Sequence, residues 1–546
     1  MLRSLRKTLR RTIGSVDEHT MERLLGMAVG LSQVGPAAQS PLFHRMLRRV
    51  GVLERLPEEW PAPPVLEDLP WGSSNLLDEV GTPPNYKGFD GACPQEPILY
   101  PEFPPPVLNI GKEDHLDHVK SNVTRYLGQI SRHTIPFALQ SLRGPRLKPI
   151  DDELFTNILS ECCFGQYINP KLDPIDLQSF SVDLKGQEVE RFAKVDLTAM
   201  GKVDTIEGVH AEGTVTLLHR NHQGSYKAIA IRVGDQVVRP EDGGRWELAR
   251  YFVLQGLQTL HVYLFHPRVH FPLDSINALS RMLLPKGHML YKLLEPHTHY
   301  TLGLHRSVMH HKRSVAHNSQ REIYSPFPST TEGTHQLVIF GQKGIPGNSS
   351  YPSYAFSDGL CGEHTAYGRY RSEWFQVFFE LAQQVCALIP PRDEYVERWA
   401  NEIAEWVPGF PNGQEIFEGD NLPRAAASYM AMVSVYHSAD HSCYANIPLD
   451  VMPMRMRKPF SQQKKSEPLN LKKLLAPEDA FRQRLFHVMF MKPVVRRSLA
   501  DIRYHFQNSQ ARAALKQFWA GVEQLDRRWN DSPFPQSNQI ATSLQY

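Results

Sequence analysis

The feature that most constrains this chain is a helical pattern of apolar residues that leads into a cluster of histidines. From Trp246 onward, apolar residues recur at intervals of three and four, as they do on one face of an α-helix. The pattern runs through His261 into Val-Tyr-Leu-Phe-His266-Pro-Arg-Val-His270. Further helical patterns cover residues 368–389, 393–407, 422–447 and 478–529. We therefore predict a mainly α fold, organised as one helical domain with peripheral additions.

Two histidine pairs share the spacing His-x-x-x-His, namely His266 with His270 and His437 with His441. On an α-helix, positions four apart lie on one face, with Cβ atoms about 5–6 Å apart. Neutral imidazole is the commonest metal-binding side chain, so the two pairs together could hold one ion. For either pair in a chain with 24 histidines, the alternative is a packing or surface role. Pro267 removes a helical hydrogen bond, so the helix could instead end there and leave His270 on a loop.

The rest of the chain adds smaller parts to this helical body. Residues 1–57 have helical spacing, and residues 58–110 are rich in proline and poor in periodicity. We interpret residues 1–110 as a helical and proline-rich N-terminal extension packed on the body. Residues 178–240 alternate or run apolar between glycines and aspartates, which predicts a small β-sheet. The basic, polar residues 455–468 predict a loop.

Composition and charge exclude several classes of protein. The 60 basic and 58 acidic residues give a net charge of +2, so no global field favours nucleic acid. Six dispersed cysteines fit a reducing compartment, and we expect a cytoplasmic monomer. The basic start lacks the apolar core of a secretory signal, and no run of about 18 apolar residues predicts a membrane span. Peripheral membrane contact stays open, because the first helix could be basic and amphipathic rather than merely solvated.

Several segments of the chain resemble the catalytic domain of the lipoxygenases. The resemblance begins with WELARYFVLQGLQTLHVYLFHPRVH, LLPKGHMLYKLLEPHTHYTL and SVYHSADHSCYANIP. It extends to DDELFTNILSECCFGQYINP, YPSYAFSDGL and WANEIAEWVPGFP in the same order as in the family. It implies a lipoxygenase-like helical catalytic domain over residues 111–546, with a small β-sheet region. The family's N-terminal lipid-binding β-barrel has no counterpart that we can identify.

The same resemblance implies a metal centre with five protein ligands. It places four of them at His266, His270, His437 and His441, and the fifth at the α-carboxylate of Tyr546. The spacing of the first pair resembles the fungal, manganese-type branch, because most members of the family have one more residue between these ligands. The implied cofactor is one ion per chain, Fe or alternatively Mn, which suit six-coordinate nitrogen-rich sites better than Zn does.

Two positions depart from the family's pattern beside the implied substrate pocket. Alignment of TLGLHRSVMHHKR places Val308 where the family has Ala or Gly, and Met309 where it has Arg. We take both as substrate-binding residues, and the bulkier valine could narrow the space in which oxygen meets the substrate. The alternative is a local slip in the alignment. Other histidines match no ligand position, and we expect them to support the site or to pack: His261, His288, His297 and His299.

The resemblance implies a non-heme Fe or Mn dioxygenase. Such an enzyme abstracts hydrogen from a polyunsaturated fatty acid or related acyl chain and adds O2 to give a hydroperoxide. One alternative keeps the fold and metal but acts on a hydroperoxide or a specialised metabolite. Another is a non-catalytic lipid-binding protein that is stabilised by a structural zinc ion.

Overall fold

The computed structural model describes residues 147–545, except for residues 173, 181–188, 223, 302–325, 357–363, 488–490 and 492–494. The predictions for residues 1–110, Val308, Met309 and Tyr546 therefore lie outside the described residues. In the described part the fold is mainly helical with one small sheet, as predicted. The helices are α1 (Asp152–Ser160), α2 (Pro174–Ser179), α3 (Gly244–Leu260), α4 (Pro272–Leu283), α5 (Met289–Leu294), α6 (Thr331–Lys343), α7 (Ala366–Cys386), α8 (Glu394–Ala404), α9 (Asn421–Ala431), α10 (His437–Asn446), α11 (Pro477–Phe486) and α12 (Ser509–Arg528).

The predicted sheet is an antiparallel meander whose five strands pair in chain order. The strands are β1 (Ile168–Asn169), β2 (Phe192–Leu197), β3 (Thr214–Arg220), β4 (Tyr226–Val233) and β5 (Gln236–Val238). Both faces of the sheet are covered: Val215 and Leu217 belong to a small cluster with Phe180, whereas Val195 and Leu218 belong to the main core. Burial on both faces explains why successive residues of β2 and β3 are buried, rather than every second one.

Helix α3 crosses the inner face of this sheet and is buried on nearly all sides. Gly256 eases its close approach to β2, because a Cβ there would lie 3.2 Å from Leu197 Cδ1, which is a tight contact. Near the start of α3, Trp246 Nε1 and Arg250 Nη1 both donate to Asp152 Oδ1 on α1, at 2.8 and 2.9 Å. The sheet and α1 therefore fix the orientation of α3. The C-terminal end of α3 leads into the histidine cluster.

A second group of helices carries the other histidine pair. Helix α7 packs against α9 and α12 through buried residues such as Tyr370, Trp374 and Phe378. Helix α9 continues into α10, which begins at His437. Among the helices that the structure describes, none is long and apolar enough to cross a bilayer.

The predicted helical pattern over residues 478–529 is wrong in its middle part. Helix α11 ends at Phe486 and α12 begins at Ser509. Part of the chain between them lies beside the C-terminal segment instead, where Ser498 forms a β-bridge with Ala541. The predicted loop at residues 455–468 is confirmed, apart from a short 3-10 turn at Phe460–Gln462.

Candidate metal centre

The first histidine pair does not lie on an α-helix, so that part of our prediction is wrong. Helix α3 ends at Leu260, a π turn follows at His261–Phe265, and a 3-10 turn follows at His266–Val269. Pro267 sits in the first turn of this 3-10 helix, where a missing N–H costs nothing. His270 has φ −113° and ψ −80°, outside the helical region, so the chain leaves helical geometry at that residue. The alternative that the helix ends near Pro267 is closer to the structure.

The second pair lies on one α-helical face, as predicted. His437 and His441 are one turn apart in α10, and their ring centroids are 4.6 Å apart. A π turn at Met432–Tyr436 comes immediately before this helix. Both pairs are therefore preceded by a π turn, which is a rare conformation that often marks functional sites.

The four imidazoles meet where the two groups of helices join. One ring nitrogen from each of His266, His270, His437 and His441 lies within 4.8 Å of the others. The Nε2 atoms of His266 and His270 are 2.8 Å apart, and the rings of His266 and His437 stack with centroids 5.2 Å apart. His437 and His441 are buried, with exposed fractions of 0% and 4%. Four nitrogen donors thus converge on one partly enclosed point.

This spacing fits a single metal ion. Nitrogens bound to one ion at about 2.1 Å lie about 3.0 Å apart in adjacent positions and about 4.2 Å apart in opposite positions. The 2.8 Å separation and the 4.8 Å limit are compatible with such a set. Imidazole suits iron, copper, nickel and zinc alike, so the donors alone do not identify the ion.

In two of the rings, Nδ1 forms a hydrogen bond on the side away from the cluster, which leaves Nε2 directed at the cluster. His266 Nδ1 lies 3.1 Å from Asp440 Oδ2, and His441 Nδ1 lies 3.1 Å from the carbonyl oxygen of Met491. Since a carboxylate and a carbonyl can only accept, both Nδ1 atoms carry the hydrogen. The lone pairs are then at Nε2, the nitrogen that remains for a metal. Such outer hydrogen bonds accompany nearly all metal-binding histidines.

Asp440 is a site residue that the sequence analysis missed. It lies within α10 between the two histidines and is 4% exposed. Burial opposes its ionisation, but His261 and then His266 outweigh that effect and hold the pKa of the carboxyl well below its ordinary value. Its sequence signal was an acidic residue in an otherwise buried helical segment, because such a residue needs nearby partners.

His261 supports the site rather than serving among the four converging histidines, as expected. Its Nε2 lies 3.2 Å from Asp440 Oδ2, and its Nδ1 lies 3.0 Å from Gln166 Nε2. The ring makes edge contacts with Phe164 and Tyr444, at centroid distances of 5.7 and 4.8 Å. His261 therefore links Asp440 to the segment around Gln166 that precedes the sheet.

Three buried cysteine thiols lie behind this support. The sulfur atoms of Cys162, Cys163 and Cys443 are within 4.8 Å of one another, and the Cys163 N–H donates to Cys443 Sγ at 3.1 Å. Burial raises the pKa of the Cys163 and Cys443 thiols, which favours neutral groups that pack as small apolar side chains. The sulfur of Cys163 also lies within 4.8 Å of side-chain atoms of His261 and Asp440, so the thiols adjoin this support.

The C-terminal segment is anchored beside α10. The Ala541 N–H donates to Ser438 Oγ at 2.9 Å, one residue after His437. Gln545 Oε1 accepts from the backbone N–H groups of Arg496 and Arg497, at 2.9 and 3.2 Å. The chain is thus held in place up to the residue before Tyr546.

The other three histidines that we expected to pack, His288, His297 and His299, have structural partners. His297 Nδ1 donates to the carbonyl oxygen of Thr542 at 2.7 Å, and its Nε2 lies 2.7 Å from the hydroxyl of Tyr504. His288 caps α5 by accepting from the Leu290 N–H. His299 Nε2 lies 3.3 Å from Glu295 Oε1.

The chain has the fold of the lipoxygenases. A calcium-dependent 11R-lipoxygenase superposes with a TM-score of 0.60 and 15% identity, over 72% of this chain and 66% of that chain. The manganese lipoxygenase of Gaeumannomyces graminis superposes with a TM-score of 0.62 and 14% identity, over 80% of this chain and 91% of that chain. A lipoxygenase designated delta413-417:GS, in complex with arachidonate, gives 0.61 and 13%, over 80% of this chain and 74% of that chain. No protein-family model and no curated protein matches the sequence.

Proposed function

We propose that this chain is a non-heme iron or manganese dioxygenase that converts a polyunsaturated fatty acid or a related acyl chain into a hydroperoxide. The observation that carries the proposal is the convergence of four buried or half-buried imidazoles within 4.8 Å, inside a lipoxygenase fold. Iron is the first choice, and manganese is the alternative because one structure of similar fold is a manganese lipoxygenase. An acyl chain is the proposed substrate because another was solved with arachidonate.

The proposed ligands are His266, His270, His437 and His441, with the carboxylate of Tyr546 as the fifth. The anchoring of Gln545 against Arg496 and Arg497 supports the last assignment, since it fixes the chain immediately before Tyr546. A bound iron or manganese ion supplies the one-electron redox chemistry needed to remove a hydrogen atom from a 1,4-diene and to add dioxygen. Val308 and Met309 remain our proposal for residues that contact the acyl chain.

The chain's own residues prepare the site in two ways. Asp440 and the Met491 carbonyl fix the hydrogen on the outer nitrogens of His266 and His441, so that both rings are oriented before an ion binds. Burial of His437 and His441 limits the access of bulk water, which strengthens electrostatic interactions in the site and protects a reactive intermediate.

The test combines metal analysis with oxygen consumption by the purified full-length chain. We expect one iron or manganese ion per chain, and oxygen uptake with conjugated-diene formation on linoleate or arachidonate. His437→Gln should lose both the metal and the uptake. The matched control His219→Gln replaces a histidine on β3, away from the cluster, and should retain both.

Three results would contradict the proposal. Zinc as the resident ion, with no oxygen uptake after loading with iron or manganese, would favour the non-catalytic alternative. Consumption of a lipid hydroperoxide, without oxygen uptake on the parent fatty acid, would favour the alternative in which the chain acts on a hydroperoxide. Full metal content in His437→Gln would show that the four imidazoles are not the site.

A further inference from the structure

Asp440 touches three side chains from three different parts of the chain. Its Oδ2 lies 3.1 Å from His266 Nδ1 and 3.2 Å from His261 Nε2. Its Oδ1 accepts a hydrogen bond from the hydroxyl of Tyr367 on α7. The carboxylate is buried and sits within α10 between two of the four converging histidines. Burying a charge costs free energy unless the charge is paired, so these three contacts must offset the cost of burying the Asp440 carboxylate.

We propose that Asp440 is the positioning residue of the metal centre: it fixes the tautomer and the ring plane of His266, and it places a negative charge directly behind that ring. The inference rests on the proposed function only in taking His266 as a ligand. Asp440 contacts His266 and is not one of the four converging residues, so its effect on a bound ion would pass through His266.

The hydrogen positions around Asp440 follow from the partners on the far side of His261. Gln166 Nε2 lies 2.8 Å from the carbonyl oxygen of Cys163, which can only accept, so this atom is the amide nitrogen. The same nitrogen lies 3.0 Å from His261 Nδ1, which must therefore be the acceptor. The hydrogen of a neutral His261 is then on Nε2, the atom that faces Asp440 Oδ2.

His266 thus directs an N–H at Asp440 Oδ2, His261 Nε2 lies 3.2 Å from the same oxygen, and the hydroxyl of Tyr367 donates to Oδ1. This pattern requires the acceptor-only, ionised form of Asp440. Tyr367 also prevents the carboxylate from rotating away from the histidines, because it is bound to Oδ1 from a different helix. The geometry therefore imposes one tautomer on His266, with the lone pair at Nε2, 2.8 Å from His270 Nε2.

Two consequences follow for a bound ion. Removing an outer partner of a ligand histidine typically weakens metal binding about ten- to hundredfold. A negative charge behind the ring also favours the more highly charged oxidation state, and the effect is strong because the site is largely buried. Asp440 should therefore raise metal affinity and lower the reduction potential of the ion.

A series of three variants of the full-length chain separates orientation from charge. Asp440→Ala removes both, and metal affinity should fall about ten- to hundredfold in competition with a chelator. Asp440→Asn has the same shape but no charge, so its reduction potential should rise while its affinity falls less. Tyr367→Phe keeps the charge, so its potential should stay close to that of the wild type. Wild-type affinity in Asp440→Ala, or an unchanged potential in Asp440→Asn, would overturn the proposal.

A measurement on the metal-free wild-type chain keeps the test independent of folding and of enzyme activity. With 15N-labelled histidine, the His266 resonances should report a hydrogen on Nδ1, and His266→Gln identifies them by their loss. A hydrogen on Nε2 of His266 would overturn the proposal even if the variants fail to fold. If the wild type binds no redox-active ion, the proposed function fails, whereas the tautomer still reports whether Asp440 positions the ring.

Discussion

Acid should destabilise the protein through His297, which holds the C-terminal segment in place. This residue is fully buried, and burial lowers its pKa from 6.5 to about 4. Its Nδ1 donates to the Thr542 carbonyl, and the hydroxyl of Tyr504 lies 2.7 Å from its Nε2. Burial raises the pKa of Tyr504, so this hydroxyl stays protonated and can donate to the neutral ring. The folded state therefore favours the neutral form of His297.

The sign and the size of the effect follow from proton linkage. The unfolded chain binds a proton at His297 below pH 6.5, whereas the folded chain resists it until about pH 4, so stability falls as the pH falls between these values. At 1.36 kcal/mol per pKa unit, His297 alone should remove about 2 kcal/mol from the free energy of unfolding at a pH of about 5. The loss should level off below the folded-state pKa.

Urea unfolding of the wild type and of His297→Asn, at pH about 7 and about 5, isolates this contribution. The variant cannot titrate at this position, so its stability deficit relative to the wild type should be about 2 kcal/mol smaller at the lower pH. His222→Asn removes an exposed histidine and should follow the wild type at both values. A deficit for His297→Asn that is the same at both pH values would refute the reasoning.

Three further substitutions test the supports of the site. Gly341→Ala should cost about 1–3 kcal/mol and lower metal content, because its Cβ would collide with a backbone carbonyl of the π turn before His266; Gly287→Ala, which has open space, is the control for thermal unfolding and metal analysis. Asp479→Asn should cost about 3–5 kcal/mol in urea unfolding, because it leaves buried guanidinium groups without their carboxylate. Ser438→Ala should cost about 1–3 kcal/mol, because the buried Ala541 N–H loses its acceptor, and hydrogen exchange at that amide should accelerate.

Periodicity was sufficient to predict the main bodies of the fold. The apolar residues of α3 that recur at intervals of three and four, such as Leu248 and Phe252, are fully buried. The alternation of apolar and polar residues over residues 178–240 predicted the sheet, because this signal can be read from residues that are adjacent in sequence. The pairing of His437 with His441 was predictable for the same reason, since one regular helix carries both.

What could not be predicted depends on contacts between distant parts of the chain. His266 meets Asp440 across 174 positions of sequence, and no local pattern indicates that pairing. The break between α11 and α12 was hidden for a similar reason, because Ser498 is extended by its pairing with Ala541 rather than by its own sequence. Pro267 did signal a break in the first pair, but not that the histidine rings would still meet after it.

The two π turns offer a physical reason why both histidine pairs point at one centre. Successive residues of an α-helix are rotated by about 100°, so one inserted residue turns everything after it by about that angle. The π turns at His261–Phe265 and Met432–Tyr436 each end directly before a histidine of the cluster. Helix α3 is oriented by its packing against the sheet, and helix α9 by its packing against α7. A widened turn lets each helix keep that packing and still direct its histidines inward. The two π turns thus allow the packing of the helices in the core and the direction of the histidine side chains to be satisfied together.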